Sequence, residues 1–148
     1  METFKNILVV SRSTKHCRKV VEIGISLARQ YGANLNVLHV IYDPFSLDGW
    51  NLPVPSLEKE YQKMVTDARQ DLDRMVQEEK EKGLPIKVWV HDGRPDKEII
   101  RTVEEEKIDL VLMLAHEEGR LEHFLFGKTN DAIIRKLPAS IMLVKKNG

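Results

Sequence analysis

Apolar positions along the chain fall into two rhythms. A short unbroken run at Asn6-Ile7-Leu8-Val9-Val10 suits a strand covered on both faces, as in a parallel sheet. Asn34 to Ile41, with Leu35, Val37, Leu38, Val40 and Ile41, reads as the second strand, and Asp109 to Leu114, almost wholly apolar, as the fourth. Ile86 to His91, which alternates less cleanly, and Ser140 to Val144 read as two further strands. Between the strands the apolar spacing changes to three and four. Cys17, Val20, Val21, Gly24, Leu27, Ala28 and Tyr31 form one face of a helix. Gly32 is placed to end that helix in the left-handed conformation, and Ser11-Arg12-Ser13-Thr14 is placed to cap its start. Leu57, Tyr61, Met64, Ala68, Leu72, Met75 and Val76 predict a long helix from Ser56 to Lys82, stopped by Gly83 and Pro85. Its outer face is densely charged, with pairs such as Glu78 and Lys82 worth a few tenths of a kcal/mol each. Ile99, Ile100 and Val103 carry a short helix entered through Gly93-Arg94-Pro95. Asp131 to Leu137 reads as a fourth helix, stopped by Pro138.

Strand and helix therefore alternate from end to end. That order implies right-handed crossovers and an α/β fold, a parallel sheet with helices on both faces. Two segments stand outside it. Tyr42 to Val54 is a long loop holding Phe45, Leu47, Trp50 and Leu52, and Ala115 to Phe126 is irregular.

Composition narrows the function classes. The chain has 148 residues, which fits one domain over 1–148 that folds without a disulfide or metal staple. Its single cysteine, Cys17, has no internal partner and cannot build a Cys-rich zinc site. Lys and Arg number 23, as do Asp and Glu, so no global basic field gathers nucleic acid or an anionic membrane. No apolar run approaches the roughly 20 residues of a bilayer span, and the first residues lack a signal peptide's apolar stretch. The expected compartment is the cytoplasm.

In an open parallel sheet, ligands sit beyond the carboxyl ends of the strands, where the strand order reverses. The candidate walls are Ser11 to Thr14, Ile41 to Pro44 and Leu114 to Asn130. The last of these enters a helix N-terminus, which favours an anion. Lys128 opposes the helix dipole there unless a negative group lies close. Glu117, Glu118 or Glu122 can supply it, as can a ligand phosphate.

At this point the chain resembles the universal stress protein family. The resemblance rests on Phe4-Lys5-Asn6-Ile7-Leu8-Val9-Val10, on Leu27 to Leu35 followed by Leu38-His39-Val40, and on Gly93-Arg94-Pro95-Asp96-Lys97-Glu98-Ile99-Ile100. It continues through Asp109-Leu110-Val111-Leu112-Met113, Gly127, Ile134-Arg135, Pro138 and Ile141-Met142-Leu143-Val144. It implies a three-layer αβα sandwich, Rossmann-like and similar to adenine nucleotide alpha hydrolases, with a five-stranded parallel sheet of order 3-2-1-4-5. One branch of the family binds ATP through Gly-x2-Gly-x9-Gly-Ser/Thr after the fourth strand, with an Asp after the first strand helping to hold adenine. Aligned without gaps, Leu114 and Glu117 stand at the first two glycines, Gly127 keeps the third, Lys128 replaces the Ser/Thr, and Arg12 replaces the Asp.

These departures argue against ATP binding in the family's manner. Glycine lets main chain approach phosphate closely. Leu114 and Glu117 are expected to put side chains where that approach would occur. A carboxylate about 6 Å from a phosphate charge costs roughly 0.7 to 3 kcal/mol, depending on the effective dielectric. Arg12 and Lys128 are instead expected to pair with Glu117 or Glu118 and fill the crevice. If it holds a ligand, the surrounding residues are Val10, Arg12, Ile41, Leu114, His116, Glu117, Gly127, Lys128 and Thr129.

Other motifs fail on spacing. Gly127-Lys128-Thr129 resembles the end of a Walker A loop, but the pattern's first glycine would fall on Glu122. His116-Glu117-Glu118-Gly119-Arg120 ends in Arg where a zinc helix needs His. His116 and His123 are read as solvated or capping, with no metal expected, and His39 as a packed strand histidine bonded to backbone. Cys17 has two readings: a buried structural thiol, or a redox-sensitive one whose pKa is lowered near a helix start. No nucleophile elbow or defensible carboxylate pair is present.

The last strand is apolar on both faces. At the sheet edge that the resembled order gives it, Ile141, Met142, Leu143 and Val144 invite pairing with a second chain. The family commonly dimerises there. The alternative is that its own helices cover it. The combined expectation is a cytoplasmic, non-enzymatic, homodimeric universal stress protein with no cofactor, a weak ATPase remaining open only by analogy with the ATP-binding branch. Nucleotide binding through Arg12 and Lys128, or binding of another small anion, is the alternative.

Overall fold

The computed structural model describes residues 3–11, 17–41, 55–114 and 135–145. The elements in chain order are β1 (Asn6–Ser11), α1 (Arg18–Tyr31), β2 (Asn34–Ile41), α2 (Pro55–Glu81), β3 (Ile86–Asp92), α3 (Pro95–Glu105), β4 (Leu110–Leu114) and β5 (Ser140–Val144). The strands form one five-stranded sheet of order β3-β2-β1-β4-β5, and every neighbouring pair is parallel. This is the order that the resemblance implied.

Period-two alternation divides the sheet's apolar residues between two cores. Ile7, Val9, Leu35, Val37, Leu110, Leu112 and Leu114 pack with Val20, Val21 and Ala28 of α1 and with Leu72 and Val76 of α2. Leu8, Val10, Leu38, Val40, Val111 and Met113 pack on the opposite face with Ile99 and Val103 of α3. Helices therefore cover both faces, giving the αβα sandwich.

The helix ends follow local chemistry. Gly32 sits at φ 65 after α1, while the Ala33 N–H donates to the Ala28 carbonyl at 2.9 Å. Pro95 occupies the first turn of α3, as its fixed φ favours. The start of α1 departs from the sequence reading. Its N-cap is Cys17, with no side-chain cap, whereas Ser11 was expected to open the capping segment. Ser11 stays in β1, paired in register with His39, so the helix begins later. Arg12, Ser13 and Thr14 lie outside the described residues.

Asp109, expected within the fourth strand, precedes it. Its carboxylate accepts the Lys5 N–H at 2.9 Å and the Asn6 N–H at 3.2 Å, joining the amino ends of β1 and β4. Arg135 and Lys136 are helical, but Leu137, expected as the last residue of that helix, is not. Pro138 disfavours a helical conformation at the residue before it. Asp131 to Ile134 and the Tyr42 to Val54 loop lie outside the described residues.

The long helix is anchored over only part of its length. Ala68, Leu72 and Val76 are buried, whereas Met64, expected on the same apolar face, is 54% exposed. Arg29 forms an ion pair with Glu79 across α1 and α2, and the expected Lys82–Glu78 pair forms at 3.3 Å.

Gly24 marks the closest approach of α1 to the sheet. A Cβ there would lie 2.4 Å from Val9 Cγ2, on a buried, β-branched side chain with little room to move. Gly24→Ala is therefore expected to destabilise by about 1–3 kcal/mol from overpacking, outweighing Ala's helix-propensity gain of about 1 kcal/mol. Urea unfolding measures the loss, which should shrink in a Val9→Ala background because the two sites share one contact.

Candidate functional site

The crevice originates in the ladders of β1. Its pairing with β2 runs to Ser11↔His39, whereas its pairing with β4 ends at Val9↔Leu112, short of both strand ends. The carboxyl ends of β1 and β4 are thus not laddered to each other where the strand order reverses, the place a ligand occupies in such sheets.

Val10, Ile41 and Leu114 reach this end of the sheet, and all three are buried. Val10 packs toward α3 and Leu114 toward α1 and α2. The expectation that the Leu114 side chain stands across the crevice is corrected: alternation along β4 sends it into the core beside Leu112 and Val144. Arg12, His116, Glu117, Gly127, Lys128 and Thr129 lie outside the described residues. So do Glu118, the expected pairing of Arg12 and Lys128 with Glu117 or Glu118, and the placement of His123.

A buried polar cluster lies beneath the crevice. The His39 Nδ1–H donates to the Ser11 carbonyl at 3.1 Å, with the Ser11 hydroxyl 3.2 Å from the same nitrogen. Both residues are buried, so each needs a partner and has one. His39 is thus the packed, backbone-bonded histidine expected from its strand. Burial pushes its imidazole below the ordinary histidine pKa, and the bond to the Ser11 carbonyl opposes that shift.

Cys17 lies on the same side of the sheet, fully buried, with its Sγ–H donating to Met75 Sδ at 3.8 Å. Desolvation raises its thiol pKa above the ordinary value, and the Ser11 hydroxyl and the Arg18 charge only partly counter it. Full burial and a raised pKa run against the redox-sensitised reading, which required a lowered pKa. The structural-thiol reading holds.

Sequence reasoning named Ser11 as a cap and as part of a crevice wall, and missed its place in this buried cluster. The signal was available: Ser11 continues the Ile7, Val9 alternation onto the face that receives Cys17. At the neighbouring end of β3, His91 Nδ1 lies 3.4 Å from Glu98 Oε2, and Arg101 binds the same carboxylate. The Gly93 N–H donates to the Ile41 carbonyl at 3.2 Å and closes the end of β2. Among the described residues, no three His, Cys, Asp or Glu side chains gather as a metal-ligand set.

The chain matches the universal stress protein family over residues 3–145. It belongs to that family. Universal stress protein MJ0577 of Methanocaldococcus jannaschii is 28% identical over 124 residues, 76% of each chain. Universal stress protein E of Salmonella typhi is 29% identical over 98% of this chain but only 46% of its own length, so this chain spans about half of that relative. Among solved structures, universal stress protein UspA from Lactobacillus plantarum superposes with a TM-score of 0.71 at 17% identity, covering 97% of this chain and 99% of its own. A universal stress protein in complex with cAMP gives 0.64 at 12% identity, covering 99% and 100%. At these identities the structural likenesses establish the fold. Among the described residues, no helix is long and apolar enough to cross a membrane.

The His39 shift has a defined pH consequence. The unfolded chain takes up a proton near the ordinary pKa of about 6.5, while the folded chain resists until a lower pH. More protons bound in the unfolded state means that stability rises with pH. The contribution is present above about pH 6.5 and is lost as pH falls, with a slope of at most about 1.4 kcal/mol per pH unit for one proton. Urea unfolding from pH 7.5 to 5 should show this slope, and His39→Gln should flatten it. NMR should place the His39 titration below that of a free imidazole.

Proposed function

We propose that this universal stress protein acts in the cytoplasm in a stress response, by binding rather than by catalysis. It works as a dimer joined along β5, and its crevice does not take ATP in the manner of the family's ATP-binding branch. The observation that carries this reading is the placement of Leu114 at the carboxyl end of β4. Leu114, which aligns with the first glycine of the ATP loop, is held by its side chain in the α1–α2 core. The family's ATP-binding branch has glycine at that position, and a leucine anchored in the core fixes the main chain there where glycine would leave it free to adapt to a phosphate. The Ser11–His39 pair supports binding over catalysis, because His39 Nδ1 donates to a carbonyl and cannot also accept the Ser11 proton.

The dimer reading rests on β5. Met142 is 38% exposed and Leu143 is 50% exposed, on opposite faces of an edge strand with only β4 beside it. The alternative that the chain's own helices cover this strand does not fit those exposures. A second ligand reading, an anionic nucleotide held through Arg12 and Lys128, is favoured by the fold neighbour in complex with cAMP.

Thermal unfolding with and without ATP and magnesium separates the two ligand readings. A ligand at about 100 times its dissociation constant adds roughly 2.7 kcal/mol. For a chain of this size, that is a rise of about 5–11 °C. No rise is expected with ATP; a rise of that size, or adenine nucleotide released in stoichiometric amount by heating the purified protein, supports the second reading. Sedimentation tests the interface: the parent chain should run as a dimer and Leu143→Lys as a folded monomer.

A further inference from the structure

A groove of about 310 Å3 opens between α1 and α2, apart from the crevice, with walls that include Arg18, Glu22, Arg29, Glu78 and Glu79. In this charged setting it also exposes one sulfur side chain, Met75. Met75 is half-buried and packs at the rim of the core that α1 and α2 share. Its Sδ accepts the Cys17 thiol proton at 3.8 Å, and Cys17 itself is fully buried. The two residues thus stand in series, with Met75 lining the groove and the Cys17 thiol behind it.

Their chemistries differ in the same sense. A thioether is nucleophilic without ionising, whereas a cysteine reacts through its thiolate, which burial makes scarce. We propose that Met75 is an oxidation site, at which a small hydroperoxide entering the α1–α2 groove transfers one oxygen to Sδ and leaves Cys17 reduced. A sulfur lone pair attacks one peroxide oxygen, the O–O bond breaks and the S–O bond forms. Sulfur loses two electrons and the peroxide gains them. With hydrogen peroxide, the proton on the transferred oxygen passes to the departing hydroxide, which leaves as water. The Cys17 thiol, which donated to Sδ, then faces a sulfoxide oxygen. A polar group has entered the rim of an apolar core, so α2 packs less well on α1.

Two other methionines serve as internal controls. Met64 is 54% exposed on the unanchored part of α2, and Met113 is 2% exposed in the opposite core. The experiment treats the folded protein with hydrogen peroxide, quenches it, alkylates Cys17 after unfolding and maps sulfoxide by peptide mass spectrometry. Met75 should oxidise many-fold faster than Met113, with Cys17 still fully alkylated. The oxidised protein should melt lower than the untreated one. Met75→Leu, which keeps the packing volume, should keep its melting temperature under the same treatment. Oxidation of Met75 no faster than that of Met113, loss of Cys17 first, or an equal fall in melting temperature for Met75→Leu would each overturn the proposal. The peptide map uses the unaltered chain and decides the site even if the variant folds poorly.

Discussion

Burial of β1 from Ile7 onward on both faces is the constraint on which the rest depends. Ile7 and Val9 belong to the core under α1 and α2, and Leu8 and Val10 to the core under α3. Burying such a side chain fully is worth about 1.5–3 kcal/mol, and here four adjacent residues do so against different partners. The strand is thereby held between β2 and β4. Its two ladders end at different residues, and that mismatch opens the crevice. The crevice is therefore a consequence of how the central strand is packed rather than a separate feature added to the fold.

Below the crevice, polar and sulfur groups run from the sheet toward the α1–α2 groove. His39 holds the Ser11 carbonyl, the Ser11 hydroxyl lies toward the Cys17 thiol, and the thiol donates to Met75. Each member is satisfied by its neighbour, as buried polar groups must be. Within this network Ser11 is occupied in the strand and unavailable as a helix cap.

The sheet was legible in the sequence because its strands are short, continuous and apolar, and because strand and helix alternate without interruption. The boundaries of α2 and β3 shifted by a residue from the pattern, and β5 kept its expected bounds. What the pattern did not reveal came from tertiary competition. Ser11 has a capping residue's chemistry, but the pairing with His39 keeps it in the strand. Asp109 sits beside an apolar run, but its carboxylate takes backbone donors and stays outside β4. Leu114 aligns with a glycine that faces ligand, yet alternation along β4 turns its side chain into the core. In each case a residue's type set what it was able to do, and the neighbouring strand decided which of those options was realised.

The two sheet edges are built differently, and the contrast bears on how each is used. β3 carries the outward charge of Lys87, which meets Glu106 at 4.0 Å, and its Trp89 is fixed by donating Nε1–H to Asn36 at 3.1 Å. Charge and a satisfied polar contact are the features that discourage an edge strand from adding another. Along Ile141 to Val144 β5 carries no charged residue, and Met142, on the α1–α2 side, and Leu143, on the α3 side, are 38% and 50% exposed. An edge of that composition left in water carries an aggregation hazard, and the surface of a second copy removes it. The same sequence thus guards one edge with charge and a satisfied polar contact and leaves the other apolar, and this asymmetry is what the proposed pairing of two copies along β5 rests on.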